Sequence, residues 1–454
     1  MSSDASGSLT PRHVKASYYA LSGVYTLSAS VIWGVNTLFL LDAGLSFFEV
    51  FVANAAYSAG TVLFEVPTGV VADTLGRRFS FLSSAVVLAA VTFMYLALAE
   101  IEAGVVAFAL VSALMALGFT FYSGAVEAWL VDALNASGYE GGLDSVFARG
   151  QQVTGAAMLL GTVGGGLLGQ LDLAVPYLAR SVLLVLVFAI AFVAMHDIGY
   201  TPQRVAFSGL PSALVDTARA GVTFGWAQRP IRLLMVASAL ETGFIFWAFY
   251  AWQPYLLDLL DRDAVWVAGV VAAAIAVSTM VGNQIVDFAS RYCGRRTTLL
   301  LGAAGVQSAA AIVIGLTSSF WIAVFALLFM MGSIGVIGPV RQAYIQQLIP
   351  SEQRATVTSF DSMVGGVGGT GGQLGLGALG EARSVPAAFL VGGIATVVVL
   401  PIVARVRSLR SPADVIVGRK AGVDSPCAGA GIPTVSTVAT QPLAEAEPVV
   451  PARA

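Results

Sequence analysis

The sequence predicts an all-α protein that crosses a membrane many times, from its composition and from the length and number of its apolar runs. Of its 454 residues, 57% are hydrophobic and only 11% are charged, and the mean hydropathy is +0.83. Soluble domains carry about 25% charged residues. A bilayer requires roughly 20 consecutive apolar residues. Charge-free windows of at least that length recur along the chain, for example at 80–99, 103–126 and 384–404.

Twelve membrane spans follow when the chain is divided at its charged or turn-rich breaks. We predict that spans 1 to 12 begin near residues 18, 47, 80, 103, 144, 174, 231, 264, 297, 319, 353 and 384. The run Thr297–Val340 has 44 residues without a charge, which is too long for one crossing. We therefore expect it to fold back near Thr317–Ser319. An even number of spans places both chain ends on one side of the membrane.

Charges are distributed unequally between the two ends of the spans. The arginine-rich end collects the basic residues Arg12, Lys15, Arg77, Arg78, Arg149, Arg204, Arg219, Arg229, Arg232, Arg291, Arg295, Arg296, Arg354, Arg405, Arg407 and Arg410. The acidic end has two basic residues, Arg262 and Arg383. They are outnumbered there by the acids Asp42, Glu49, Glu100, Glu102, Asp172, Asp258, Asp261, Asp263 and Glu381. Because positively charged loops stay in the cytoplasm, we predict a multi-pass protein of the cell (inner or plasma) membrane with cytoplasmic termini.

The two halves of the chain repeat each other. Leu-Leu-Asp at 40–42 recurs at 259–261, and Gly-Arg-Arg at 76–78 recurs at 294–296, so the offsets are 219 and 218 residues. These landmarks predict two pseudo-symmetric six-helix bundles. Such parallel duplication is typical of transporters whose substrate site lies near the midplane, between halves that rock against each other.

Five segments follow from this organisation. They are a cytoplasmic N-terminal segment (1–15), an N-terminal six-helix bundle (16–197), a cytoplasmic interdomain loop with a surface helix (198–229), a C-terminal six-helix bundle (230–406) and a disordered cytoplasmic tail (407–454). Disorder is predicted for the tail because Pro, Ala, Gly, Val and Ser follow one another there without periodicity.

A dense motif lies between spans 2 and 3, with the pattern G-x-x-x-D-x-x-G-R-R. Its members are Gly69, Asp73, Gly76, Arg77 and Arg78. Glycines permit a tight reversal close to a neighbouring helix, and arginines form strong paired hydrogen bonds with carboxylates.

This motif resembles the signature cytoplasmic motif of the major facilitator superfamily (MFS), and the chain resembles that family over residues 15–410. The resemblance implies the MFS fold and a latch that holds the cytoplasmic side closed when the protein faces outward. The second copy departs from the pattern, because Arg291 stands at the place equivalent to Asp73.

Several acids are candidate partners of the latch arginines. Glu127 and Asp132 lie at the arginine-rich end of span 4, and Glu65 lies one helical turn before the motif.

A second ion pair is predicted between the two halves. Glu127 and Arg341 occupy symmetry-related places in spans 4 and 10, and a charge facing lipid is costly, so we predict a salt bridge between them. Asp361, near the start of span 11, is expected to be a solvated end charge.

Glu241 is the deepest acid of the second half and is followed by a run of aromatic residues. A carboxyl group buried at low dielectric takes up a proton more readily than in water, so we predict that Glu241 carries a proton across the membrane. The helical period places Glu241, Ile245, Ala248 and Trp252 on one stripe, with Phe244 at its margin. The predicted substrate cavity is therefore lined by Phe244 and Trp252 from this half and by Tyr25, Trp33 and Asn36 from span 1.

The leading functional interpretation is a secondary active transporter that works by rocker-switch alternating access. Because the efflux branches of the resembled family share the signature loop, we expect proton-coupled efflux of amphipathic or cationic small molecules, as in drug resistance. The family's arginine in span 4 is replaced here by Leu114 or Ala113, and the antiporter's Gly-Pro pair in span 5 is missing.

Two alternatives remain open. One is proton-coupled transport of a sugar, an organic anion or another small metabolite; an anion would require Arg341 or Arg180 to face the cavity. The other is a membrane sensor on the same fold that does not transport.

The expected partners are a small-molecule substrate, protons and the lipid bilayer, in a monomer that binds no nucleic acid. With no metal-ligand cluster, phosphate-binding loop or nucleophile arrangement in the sequence, we expect no cofactor and no enzymatic activity.

Overall fold

Long apolar helices account for nearly all of the chain that the structure describes. The computed structural model describes residues 10–199, 219, 221–262, 264–349 and 353–416. The spans observed in these residues are span 1 (Pro11–Ser30 and Asn36–Asp42), span 2 (Phe47–Leu75), span 3 (Arg77–Glu100), span 4 (Val105–Ser123 and Ala125–Ala136), span 5 (Leu143–Gly169), span 6 (Val175–Ala194), span 7 (Arg229–Leu260), span 8 (Val265–Ser290), span 9 (Arg296–Leu316), span 10 (Phe320–Gln346), span 11 (Arg354–Ala382) and span 12 (Val385–Val397 and Val399–Ser408).

The predicted fold class is confirmed. In the described part of the chain, 10 helices are long and apolar enough to cross a membrane. The remaining two spans are span 1, which is interrupted at residues 31–35, and the glycine-rich span 11. Eleven spans begin within three residues of the predicted positions, and the apolar run Thr297–Val340 folds back at Thr317–Ser319 as expected.

The bounds differ from the predicted segments at both chain ends. Span 1 already begins at Pro11, inside the expected N-terminal segment. Residues 409–416, assigned from the sequence to the disordered tail, are ordered and fold back on span 9, where Asp414 is 3% exposed. The rest of the predicted tail and most of the predicted surface helix lie outside the described residues.

Each half of the chain has its own apolar core. One cluster of buried side chains comes entirely from spans 1 to 6 and the turns that join them and follow span 6. The other two clusters come from spans 7 to 12 and adjoining segments, with Phe51 of span 2 as the single buried contribution from the first half. The cores therefore follow the two predicted six-helix bundles.

Close helix packing joins the two halves, with span 2 against span 11 and span 5 against span 8. A Cβ added to Gly166 would lie 2.7 Å from the Cα of Gly269, so the backbones of spans 5 and 8 approach closely because both residues lack side chains. At the acidic end, the Ser46 hydroxyl donates to Glu381 Oε2 at 2.8 Å. The halves are thus fastened at the acidic end.

Candidate functional site

The motif residue Gly76 forms the turn between spans 2 and 3. Its φ of +109° lies in a region that side chains rarely adopt, and an added Cβ would collide with the Asp197 carboxylate. The other oxygen of that carboxylate accepts a hydrogen bond from the Arg78 backbone N–H at 2.9 Å. Asp197 thus caps the start of span 3, and only glycine leaves room for it.

The second half repeats this capping arrangement. Asp414, which follows span 12 as Asp197 follows span 6, accepts a hydrogen bond from the Thr297 backbone N–H at 2.8 Å. Its second oxygen accepts from the Thr297 hydroxyl at 3.0 Å. Both acids stabilise the positive end of a helix dipole, and neither was singled out from the sequence.

The two motif arginines have different partners. Arg77 pairs with Asp73 at 2.7 Å and lies 3.9 Å from Asp132, one of its predicted partners. The Arg78 guanidinium donates to the Phe192 carbonyl and lies 5.2 Å from the centroid of the Phe192 ring. The motif therefore ties spans 2, 3, 4 and 6 of the first half together at the arginine-rich end.

Gly69, at the other end of the motif, faces open space. Among the described residues nothing lies within 4 Å of a Cβ added to Gly69, and Glu65 one turn earlier is exposed. Among the described residues, the space that a side chain at Gly69 would fill is therefore not occupied by the second half.

The predicted Glu127–Arg341 salt bridge is wrong for this conformation. Arg341 pairs instead with Asp361 at 2.8 Å, within the second half, and the exposed Glu127 lines a different cavity. Asp361 is 6% exposed, so it is not a solvated end charge. Arg341 pairs with Asp361 because spans 10 and 11 bring the two side chains together, and the buried pair satisfies both charges.

Glu241 lies near this ion pair. Its side chain is half-buried in span 7, and Arg341 is near enough to interact with it electrostatically. Arg341 thus has two acidic neighbours, Glu241 on span 7 and Asp361 on span 11.

A cavity of about 280 Å³ lies among the spans and is lined from both halves. Three predicted cavity residues, Tyr25, Trp33 and Asn36, line it. The rest of the wall consists of aromatic, amide, hydroxyl and apolar side chains and one cation. These residues are Thr26, Ala29, Ile32, Asn54, Tyr57, Leu88, Tyr95, Met115, Phe119, Tyr122, Arg180, Phe249 and Tyr250.

Two predicted cavity residues lie elsewhere. Phe244 and Trp252 are each 2% exposed and belong to the core of the second half. Span 7 presents Phe249 and Tyr250 to the cavity instead. The orientation is set by Gln253, whose Nε2 donates to the Trp33 carbonyl at 2.9 Å and whose Oε1 accepts from the Thr37 N–H at 3.0 Å.

A second cavity of about 270 Å³ adjoins the first, and Thr26 and Tyr122 line both. Its other polar groups include Ser22, Gln151 and Glu127. The rings of Tyr25 and Tyr122 are stacked, with an interplanar angle of 5°. This tyrosine pair stands between the two cavities.

Known proteins share both sequence and fold with this chain. A family model described as Major Facilitator Superfamily matches residues 266–445. The MFS-type transporter YxaM of Bacillus subtilis (strain 168) is 19% identical over 393 residues, which are 85% of this chain and 94% of that protein.

Solved transporters have the same fold. The nucleoside transporter NupG matches with a TM-score of 0.73 at 12% identity, over 87% of this chain and 99% of that chain. The peptide transporter POT in complex with sulfate matches with a TM-score of 0.71 at 14% identity, over 88% of this chain and 95% of that chain. The chain therefore resembles the major facilitator superfamily in sequence over its second half and has the fold of its transporters. These similarities support a multi-pass membrane transporter of the MFS type.

The 280 Å³ cavity contains residues that the sequence did not single out. Asn54 and Tyr57 of span 2 carried no recognisable signal in a long apolar helix. Arg180, in contrast, was named from the sequence as a possible contact of an anionic substrate. It is the single charged residue of span 6, and a charge inside a membrane helix is by default a functional candidate.

Proposed function

We propose that this MFS protein is a secondary active transporter and that the 280 Å³ cavity is its substrate chamber. The observation that carries the proposal is the origin of the walls. Tyr25, Trp33 and Asn36 come from the first half, and Phe249 and Tyr250 come from the second. A chamber built in this way opens and closes when the two halves rock against each other.

The packing at the two ends of the spans supports alternating access. Glu381 of span 11 accepts hydrogen bonds from Ser46 and from the Phe48 backbone at the acidic end, which fastens the halves there. At the arginine-rich end, no described residue lies within 4 Å of a Cβ added to Gly69. In the opposite state Gly69 would lie against the second half, where its missing side chain permits close approach.

Proton coupling is assigned to Glu241. An ionised Glu241 competes with Asp361 for Arg341, whereas a protonated Glu241 leaves Arg341 to the 2.8 Å pair with Asp361. Proton uptake thereby changes the attraction between spans 7 and 10. Because span 7 also carries Phe249 and Tyr250, its movement reshapes the chamber wall.

The chamber supports one part of the drug-efflux interpretation. Its aromatic walls suit a flat, amphipathic substrate. None of its lining residues is acidic, so a cationic substrate would find no counter-ion there. We therefore propose transport of a small amphipathic molecule. The lining favours the alternative of a sugar, an organic anion or another small metabolite over efflux of a cation.

Proteoliposome transport under an imposed pH gradient tests this proposal. Purified protein is screened with a cationic dye, a sugar and an aromatic carboxylate. We expect the gradient to accelerate the flux of one of these compounds and the Glu241→Gln variant to lose that acceleration. The matched control is Glu100→Gln, the same change at an exposed acid at the end of span 3.

Gradient-independent flux, or full coupling in Glu241→Gln, would refute the proton role of Glu241. If no compound moves in either direction, the sensor interpretation replaces transport.

A further inference from the structure

Arg180 is a buried cation that pairs with no acid among the described residues. It lies in span 6 and is 6% exposed, and its side chain lines the chamber. In the described part of the protein, its Nε has no hydrogen-bond partner and no acid forms a salt bridge with it. Buried charges are normally paired, because removing a charge from water is costly.

Tyrosine rings surround this guanidinium in place of acids. Tyr25, Tyr57, Tyr95 and Tyr177 are the groups near enough to interact with Arg180 electrostatically. The phenol of Tyr177, one helical turn before Arg180, is already committed, since it donates to Asn36 Oδ1 at 2.9 Å. Neutral phenols offer hydrogen-bond acceptors and ring faces but do not neutralise the charge.

The chamber supplies the other parts of a ligand site. Asn36 and Asn54 face it with amide groups, and the Asn36 Nδ2 donates weakly to Asn54 Oδ1 at 3.4 Å. Trp33 and Phe249 add aromatic walls from the two halves. The volume of about 280 Å³ accommodates a single ring with a short polar arm.

We propose that Arg180 is the anion anchor of the substrate chamber and that the substrate is a small aromatic monocarboxylate. This inference rests on the proposed function, because it names the substrate class of the same chamber. A carboxylate matches the planar fork of a guanidinium with two parallel hydrogen bonds. A single arginine neutralises a monoanion, whereas a phosphate dianion would leave an unpaired charge in the bundle.

Three probes with one aromatic body and different charges test the anchor: 4-hydroxyphenylacetate, its neutral amide 4-hydroxyphenylacetamide, and the cation tyramine. Binding to purified full-length protein is followed by quenching of tryptophan fluorescence and by thermal stabilisation. We expect the carboxylate to bind more tightly than the amide, and the cation to bind least. Arg180→Met should weaken carboxylate binding about tenfold or more.

Further variants separate the anchor from a merely structural role. Arg180→Lys keeps the charge but loses the fork, so it should retain part of the preference for the carboxylate over the amide. Arg149→Met, the same change at an exposed arginine of span 5, should leave the preference unchanged. Amide binding by Arg180→Met reports that the chamber is still folded.

Several outcomes would overturn the anchor. They are equal binding of amide and carboxylate, preference for tyramine, survival of the carboxylate preference in Arg180→Met, or no binding of any probe at millimolar concentration. Failure of the proposed function is distinguishable. If the carboxylate binds through Arg180 but no gradient moves it, the transport function is refuted and the anchor stands. If a neutral or cationic compound is transported independently of Arg180, the transport function stands and the anchor is refuted.

Discussion

Two glycines of the same motif should respond in opposite ways to the same substitution, because their surroundings differ. Gly76→Ala forces a side chain into a backbone region that is essentially restricted to glycine, at φ +109° and ψ 155°, which costs about 1–3 kcal/mol. The new Cβ also displaces the Asp197 carboxylate from the Arg78 N–H, and losing a helix cap costs about 1 kcal/mol. The free energy of unfolding should therefore fall by about 2–4 kcal/mol.

Gly69→Ala is the internal control for this calculation. Gly69 lies inside span 2, and an added Cβ meets no atom within 4 Å among the described residues. Replacing an unstrained helical glycine with alanine stabilises a helix by roughly 0.5–1 kcal/mol. If Gly69 approaches the second half in the opposite state, Gly69→Ala should nevertheless slow transport.

Unfolding in mixed detergent micelles and transport in proteoliposomes are the two assays. The reasoning is refuted if Gly76→Ala is as stable as the original protein, or if Gly69→Ala is destabilised to the same extent. A double-mutant cycle with Asp197→Ala isolates the cap. Since Asp197→Ala alone already removes the cap, the two substitutions should be non-additive by about 1 kcal/mol.

Three further predictions follow from other contacts. Asp361→Asn leaves Arg341 without its 2.8 Å ion pair and should lower the free energy of unfolding, measured in detergent, by about 3–5 kcal/mol. Adding Arg341→Gln should recover part of this loss, and equal losses in the single and double variants would contradict the reasoning. Tyr122→Ala removes one ring of the stacked pair between the two cavities and should produce a substrate-independent proton leak in vesicles, whereas Tyr122→Phe, which keeps the ring, should remain tight. Asp414→Ala removes the cap of span 9 and should destabilise the protein by about 1 kcal/mol, and faster amide hydrogen exchange at Thr297 would locate the loss.

Local rules predicted most of the fold. A bilayer imposes a minimum apolar length, so the breaks between runs located eleven spans within three residues. Residues 409–416 were not predicted to be ordered, because their order depends on a contact with span 9 at Thr297, far away in sequence, and not on their own periodicity.

The candidate chamber was only partly predictable. Tyr25, Trp33 and Asn36, which were predicted to line a substrate cavity, line the 280 Å³ cavity. Phe244 and Trp252 were not, because the helical period fixes the spacing of a stripe but not the direction in which it points. That direction depends on the hydrogen bonds of Gln253 to span 1.

The sequence by itself determined a membrane protein of twelve spans in two related halves with a family-specific loop, since apolar length, charge asymmetry and internal repetition are all properties of the chain read in order. Only the tertiary structure decided which charges meet. Arg341 finds Asp361 instead of Glu127, and Arg180 faces a tyrosine-lined chamber without an acid. The physical reason is that the pairing of charges depends on how helices distant in sequence rotate and pack, and that rotation leaves no periodic trace in the sequence of either helix.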